Sequence, residues 1–244
     1  MILSGHKSDR GLVRENNEDS YFINDKVGLY VVADGMGGHE GGEIASEIAV
    51  KTVGKILSTH LDNRQEKNIE HAVHDALQKA NDQIIQMKKR YIELTSMGTT
   101  IVLSIFLNDL LYFTHLGDSR IYLYNKKDEL IQLTIDDSLV TGMVKRGIIN
   151  EEQARTHELK NIVTRYLGAV DLDLPEVKYC HLGEEDCILL CTDGLTGMLE
   201  DKEILSIIKR NISTGPQSVC NALIEQANMN GGKDNITVIM IRSS

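Results

Sequence analysis

Three apolar runs of this chain end in an aspartate followed by glycine or serine: Val31-Val32-Ala33-Asp34-Gly35, Leu116-Gly117-Asp118-Ser119 and Cys191-Thr192-Asp193-Gly194. A fourth aspartate, in Asp234-Asn235, opens the last apolar run. Short β-branched runs form strands, so each carboxylate stands at a strand end, where several can converge on one sheet edge. Gathered anionic oxygens repel one another, and a divalent cation offsets that repulsion. An all-oxygen set selects hard ions, Mg²⁺ or Mn²⁺. Aspartate-glycine is also a plain turn signal, which accounts for any one of these positions alone but poorly for their recurrence. The stretch Asp34-Gly35-Met36-Gly37-Gly38-His39 is too rich in glycine for an ordinary hairpin and lacks the Gly-Lys-Ser/Thr of a nucleotide-binding loop. Backbone so free of side chains can bring a carbonyl oxygen up to a cation.

The elements that must position these groups follow from periodicity. Strands are expected over residues 21–24, 29–33, 99–107, 110–115, 120–124, 187–191 and 236–241. Amphipathic stretches predict helices at 42–61, 69–91, 202–209 and 216–228. Strands come in blocks and not in strict βαβ alternation, which favours an α+β fold of antiparallel sheets with helices outside. Between residues 134 and 168 the pattern changes to short helical pieces, with a capping box at Asn150-Glu151-Glu152-Gln153 and a break at Gly147. This predicts an insertion over 136–168 beside one domain spanning 1–244.

Composition agrees and excludes. With 244 residues, 41% of them hydrophobic, the chain can bury one sizeable core. A net charge of −10 argues against nucleic acid as a partner, because phosphate-backbone binding needs clustered Lys and Arg. The four cysteines, Cys180, Cys187, Cys191 and Cys220, form no C-x-x-C pair and are expected buried and reduced. The first residues lack the apolar stretch of a signal peptide, and no run is long enough to span a bilayer. No membrane insertion and a cytoplasmic location are expected.

Taken together, the motifs resemble the PPM family, the metal-dependent type 2C protein phosphatases, in its compact bacterial form. The resemblance rests on Gly11-x-Val13-Arg14-x-x-Asn17-Glu18-Asp19, Ala33-Asp34-Gly35-Met36-Gly37-Gly38-His39, Gly98-Thr99-Thr100, Gly117-Asp118-Ser119-Arg120, Thr164-Arg165-x-Leu167-Gly168, Thr192-Asp193-Gly194-Leu195 and Asp234-Asn235-Ile236-Thr237. It runs almost end to end. It implies a four-layer α-β-β-α fold, a central antiparallel β-sandwich flanked by helices with a flap beside the metal edge. It also implies that Asp34 bridges two Mn²⁺ or Mg²⁺ ions, that Gly35 offers its carbonyl to one, and that Asp193 and Asp234 complete the other. Asp118 with Asp193 would hold a weaker third ion. Arg14 would take the substrate phosphate, and Glu18, Asp19 and Asn235 would support the ions from outside, the two acids through water.

The implied activity is hydrolysis of phosphoserine and phosphothreonine in proteins, reversing a Hanks-type kinase that is itself a partner, by a chain acting as a monomer. Two such ions activate a water for in-line attack on phosphorus while the planar fork of Arg14 takes phosphate oxygens. No phosphoenzyme is required, and none of the cysteines lies in a Cys-x-x-x-x-x-Arg loop.

Two departures from the family pattern stand out. Animal relatives place histidine after the bridging Asp-Gly, where this chain has Met36, so the proton for the leaving alkoxide is expected from water at the ions. His39 lies nearby, with a structural role at the loop's end equally open. Family members often read Asp-His-Ser where this chain has Asp136-Asp137-Ser138, and altered flap behaviour is expected. Lys145, Arg146, Arg155, Lys160 and Arg165 make the insertion basic, either to orient acidic phosphopeptides or as a solvated face. His71 and His74 lack a third ligand, and Lys88-Lys89-Arg90 suits a helix end.

Three rivals remain at this level. One is a regulatory relative that senses a single phosphoprotein, as in sigma-factor control. Another is a catalytically weak phosphoprotein-binding scaffold, against which stand all the metal aspartates and Arg14. The last is a metal-dependent nuclease, which the absence of tryptophan and the acidic charge disfavour.

Overall fold

In the computed structural model, which describes residues 2–37, 41–62 and 68–243, alternation along the buried strands decides the layering. Within β3 (Leu29–Met36), Leu29, Val31 and Ala33 pack with the long helices α1 (Gly41–Asp62) and α2 (Ile69–Arg90), while Tyr30 and Val32 pack the other way. Strand β10 (Cys187–Cys191) repeats the device: Cys187, Leu189 and Cys191 join α6 (Asp201–Asn211) and α7 (Pro216–Met229), and Ile188 and Leu190 join Tyr30 and Val32. Successive side chains of a strand point to opposite faces, so a strand apolar on both faces must lie between two layers. The result is the expected α-β-β-α sandwich.

One sheet has five strands in the order β1 (Ile2–Asp9), β11 (Ile236–Ser243), β10, β7 (Arg120–Tyr124) and β8 (Leu130–Gln132). The other runs β2 (Asp19–Asn24), β3, β5 (Ile101–Leu107), β6 (Leu110–Leu116) and β9 (Lys178–His181), with β4 (Gly98–Thr99) paired to β3. All pairings are antiparallel. The structure adds β1, β8 and β9 to the strands expected from sequence. Each is an edge strand with at most one fully buried position, β8 and β9 only three and four residues long, and so carries no long apolar run to find. The strand expected over 99–107 is broken at Thr100, whose N–H turns to the Asp34 carbonyl at 2.9 Å, while Thr99 pairs with Gly35 and also bridges Leu167.

The 136–168 stretch carries α3 (Leu139–Lys145) and α4 (Glu151–Thr156). Ser138 caps α3, and the Asn150 capping box on α4 is present, with reciprocal bonds of 2.8 and 2.9 Å to Gln153. Gly147 has φ +68°, the left-handed conformation that ends a helix and favours glycine. Among the described residues no helix is long and apolar enough to cross a membrane.

Candidate active site

Asp34 sits near the end of β3, directly opposite Asp19 on β2. The backbone there is fixed from both sides. Its N–H donates to Thr100 Oγ1 at 3.0 Å, and its carbonyl accepts from Thr99 Oγ1 at 2.8 Å and from the Thr100 N–H. Thr100 Oγ1 also shares a 2.7 Å hydrogen bond with Ser119 Oγ, which joins this strand end to the turn that carries Asp118. Gly35 has no room for a side chain, since a Cβ there would fall 2.1 Å from the Gly42 carbonyl oxygen. Asp34-Gly35 is therefore strand, not turn.

Asp193 opens the short helix α5 (Asp193–Thr196) at the end of β10, and Asp234 precedes β11. Gly194 again must be glycine, because a Cβ would lie 1.9 Å from the Asn235 carbonyl oxygen. The Asp34 and Asp193 carboxyls act on one another's protonation. Arg14 Nη2 reaches Asp234 Oδ2 at 2.7 Å, a partly exposed pair on the same edge.

The electrostatics follow from the crowding. Burial first, then Asp19, Asp193, Asp118 and Asp234, hold the Asp34 carboxyl well above the usual range. Burial and Asp193 with Asp136 push Asp118 up to about 7. Burial, with Asp193 and Asp234 adding, raises Asp19 to about 7 against the opposing hydrogen bond from Thr192 Oγ1 at 2.9 Å. Asp193 is raised by burial and Asp234, and partly relieved by Asp34, Arg14 and Lys160. Glu18 is raised by burial against the pull of Arg14. Burial disfavours the Arg14 cation, but the surrounding carboxylates outweigh that and raise its pKa. Carboxylates raised by one another are the condition a divalent cation removes.

The residues suit such ions. Asp19 Oδ1 is buried without a hydrogen-bond partner, and the donors are all oxygen. Among the described residues no three Asp, Glu, His or Cys side chains form a closed cage. Ions here would thus take much of their coordination from water and backbone carbonyls, as Mg²⁺ prefers.

The "Protein phosphatase 2C" family model matches residues 12–226. The chain belongs to the protein phosphatase 2C family. A serine/threonine phosphatase stp of Listeria innocua is 36% identical over 241 residues, covering 96% of this chain and 93% of that one. The serine/threonine phosphatase PstP/Ppp of Mycobacterium tuberculosis superposes with a TM-score of 0.90 at 32% identity, over 99% of this chain and 98% of that one. The catalytic domain of PstP in complex with two manganese ions superposes at 0.86 with 33% identity, over 99% and 97%. The family and the fold that the motifs implied are both found.

Of the residues singled out from sequence, Arg14, Glu18, Asp19, Asp34, Gly35, Asp118, Asp193 and Asp234 share one edge of the sandwich. Glu18 lies against the start of α1, where a Cβ on Gly42 would meet its Oε2 at 2.5 Å. The amide of Asn235 is taken up by the Arg14 loop: Oδ1 accepts from Glu18 N–H at 2.8 Å, and Nδ2 donates to the Arg10 and Asn16 carbonyls. Gly38 and His39 lie outside the described residues.

Sequence reasoning gave no role to the hydroxyls of Thr99 and Thr100, which fix the Asp34 backbone, of Ser119, which bonds Thr100, or of Thr192, which donates to the Asp19 carboxylate; their place in the motifs was the signal. The basic residues of the 136–168 stretch differ in their surroundings. Arg165 pairs with Asp137 and Asp173 and Arg155 with Glu200, Lys160 acts on Asp193, and Lys145 and Arg146 are exposed. Lys88 does more than suit a helix end, donating to the Gly168 carbonyl at 2.8 Å, and His74 bonds the Pro175 carbonyl. The cysteines are free. Burial pushes Cys187, Cys191 and Cys220 up to about 12, far from thiolate chemistry.

Proposed function

We propose that this phosphatase hydrolyses phosphoserine and phosphothreonine in proteins with the help of Mn²⁺ or Mg²⁺. The observation that carries the reading is the mutual crowding of Asp34, Asp118, Asp193 and Asp234 on one edge, beside Arg14. Asp34, the cross-strand partner of Asp19 and electrostatically coupled to Asp193, is the residue suited to bridge two ions. Gly35 would offer its carbonyl to one, Asp193 and Asp234 would hold the other, and Asp118 with Asp193 a third. When bound, such ions supply a water of lowered pKa as nucleophile and offset phosphate charge.

The chain's own residues do the rest. Arg14 presents a planar donor fork, and exchanging Asp234 for a phosphate oxygen costs it no charge partner. Asn235 holds both ends of the loop that carries Arg14, so the fork is aimed before substrate arrives. Asp19 and Glu18 take up protons or water around the ions. The leaving alkoxide needs a proton. Met36, next to Asp34-Gly35, has none to give, which leaves water at the edge as the donor.

We take the whole chain as one catalytic unit acting as a monomer, with residues 136–168 as its flap, and a Hanks-type kinase and that kinase's substrates as its physiological targets. The deciding experiment is phosphate release from a phosphothreonine peptide with Mn²⁺, with excess chelator, and by Asp34→Ala. Turnover that needs both metal and Asp34 supports the reading. A folded, metal-loaded protein without turnover would replace it with a phosphoprotein-binding scaffold.

A further inference from the structure

A groove of about 430 Å³ runs along α7 beside the turn that leads to Arg14. Its walls are largely apolar, with Leu12 from the turn and Ile224 and Met229 from the helix, and Lys7, Glu225 and Asn228 also line it. Leu12 is 68% exposed and Met229 75%, large values for apolar side chains that line one cleft. The neighbouring Val13 is 65% exposed.

The backbone of Leu12 is fixed in this position. Its N–H donates to the Gly232 carbonyl at 2.8 Å, and Gly11 before it holds φ +76°. A Cβ on Gly232 would lie 2.9 Å from Leu12 Cγ, so the leucine already rests on that backbone. The groove also neighbours the catalytic edge along the chain: Leu12 is two residues from Arg14, and Gly232, on which Leu12 rests, two from Asp234. At 3.8 Å per Cα step, the Leu12 and Arg14 backbones are at most about 7 Å apart.

We propose that this groove receives a bulky apolar side chain of the phosphoprotein substrate, a few residues along the chain from the phosphorylated residue. The proposal rests on Arg14 being the phosphate-binding residue. A peptide whose phosphate lies on the Arg14 fork has the Leu12 turn as a near neighbour, since the two residues are only two steps apart in the chain. Extended chain advances about 3.3 Å per residue, so two to four residues, roughly 7–13 Å, carry a side chain from that phosphate into the groove. Met229, unbranched and polarisable, can adapt to differing aliphatic or aromatic partners.

The test uses the Mn²⁺-loaded full chain and fluorescent phosphothreonine peptides with Leu or Ser two to four positions from the phosphoresidue, alongside p-nitrophenyl phosphate. For the wild type, KM should be about tenfold lower for the best-placed Leu peptide than for its Ser counterpart. Leu12→Ser and Met229→Ser should shrink that advantage to about twofold or less and leave p-nitrophenyl phosphate turnover unchanged. Equal KM values in the wild type, or an advantage that survives both substitutions, would overturn the proposal. So would a concentration-dependent dimer that Leu12→Ser abolishes with no peptide preference, since the groove would then serve a second copy. If even p-nitrophenyl phosphate is not hydrolysed, the catalytic reading fails separately. The groove is then judged by fluorescence anisotropy of the same peptides, where a Leu preference lost in the variants sustains it and its absence overturns it.

Discussion

Asp19 and Asp34 face each other as direct partners across β2 and β3, two carboxylates in one cross-strand pair. Like charges directly opposed destabilise a sheet unless a proton or cation intervenes. Their pKa values are raised in the fold, with Asp19 at about 7. Protons are then bound more tightly folded than unfolded, so this contribution to stability is present below the unfolded carboxylate range and is lost as pH rises through the folded value. Asp118, at about 7, and Asp193 have the same sign. The metal-free protein should therefore melt at progressively lower temperature as pH rises from about 4 to about 8. Mn²⁺ at one hundred times its Kd should restore about 2.7 kcal/mol, roughly 5–10 °C, at the upper end. Thermal unfolding with and without chelator across that range checks it, and a metal-free Tm that climbs with pH would contradict the assignment.

Asp193 and Asp118 should separate when each is removed. Asp193→Ala deletes a carboxylate coupled to both Asp34 and Asp234, and should cut turnover at least a hundredfold and lower metal stoichiometry. Asp118→Ala should leave binding of two ions intact. Calorimetric titration with Mn²⁺ distinguishes them, and unchanged stoichiometry in Asp193→Ala would remove that residue from the ligand set.

Arg14 has two jobs of opposite sign. Its guanidinium lies 2.7 Å from Asp234, where its charge opposes a cation on the same carboxylate, yet it is placed to hold phosphate. Arg14→Ala should lower kcat/KM by about a hundredfold or more through lost stabilisation of developing phosphate charge. The same variant should bind Mn²⁺ more tightly. Arg14→Lys should recover little activity, because a point charge cannot reproduce the two-pronged contact.

The four aspartates were legible in sequence because each follows or precedes an apolar strand with a glycine or amide beside it, whereas Arg14 was legible only through the motif that runs on to Asn17-Glu18-Asp19. The two sheets were legible for the same reason: β3, β10 and β11 are apolar on both faces. What escaped lay where the burial pattern is weak. β1 survives as a strand through its register with β11 and through Gln217, whose amide bonds both N–H and carbonyl of His6, contacts 211 residues apart that no local pattern contains. The pairing of Thr100 with Ser119 is likewise a tertiary fact. So is the ion pairing of Arg155 and Arg165, which depends on where Asp137, Asp173 and Glu200 fall in space.

Gly35 and Gly194 are required by close backbone approach, not by conformation. Alanine at either would place Cβ 2.1 or 1.9 Å from a carbonyl oxygen of another segment, so the strand ends must separate. Each substitution should cost about 3 kcal/mol or more and depress metal affinity with it, since the displaced segments carry Glu18 and Asp234. Urea unfolding and Mn²⁺ titration of the alanine variants measure both effects.

The neighbouring acids Asp136 and Asp137 grip the two ends of the Gly117–Arg120 turn in different ways, and their removal should differ accordingly. Asp136 takes Arg120 Nε and Nη2 at 2.9 and 2.8 Å, a largely buried two-pronged pair with side chains 15% and 24% exposed. Asp136→Ala leaves that guanidinium, among the described residues, with Tyr122 and a 4.0 Å approach to Asp201, and should cost about 2–3 kcal/mol. Asp137 acts mainly through its backbone, donating to the Gly117 carbonyl at 2.9 Å and accepting from the Thr164 N–H at 2.7 Å, bonds that any residue keeps. Its carboxylate adds only long contacts, 3.3 Å from Gly117 N and 3.4 Å from Arg165, which retains Asp173. Asp137→His, the residue that relatives often carry, should therefore cost less than about 1 kcal/mol overall. It should still loosen the 139–163 stretch, because Arg165 loses its link to the turn bearing Asp118. Hydrogen exchange across residues 139–163 reads that loosening directly. Equal global destabilisation by Asp136→Ala and Asp137→His would show that both acids act through their side chains.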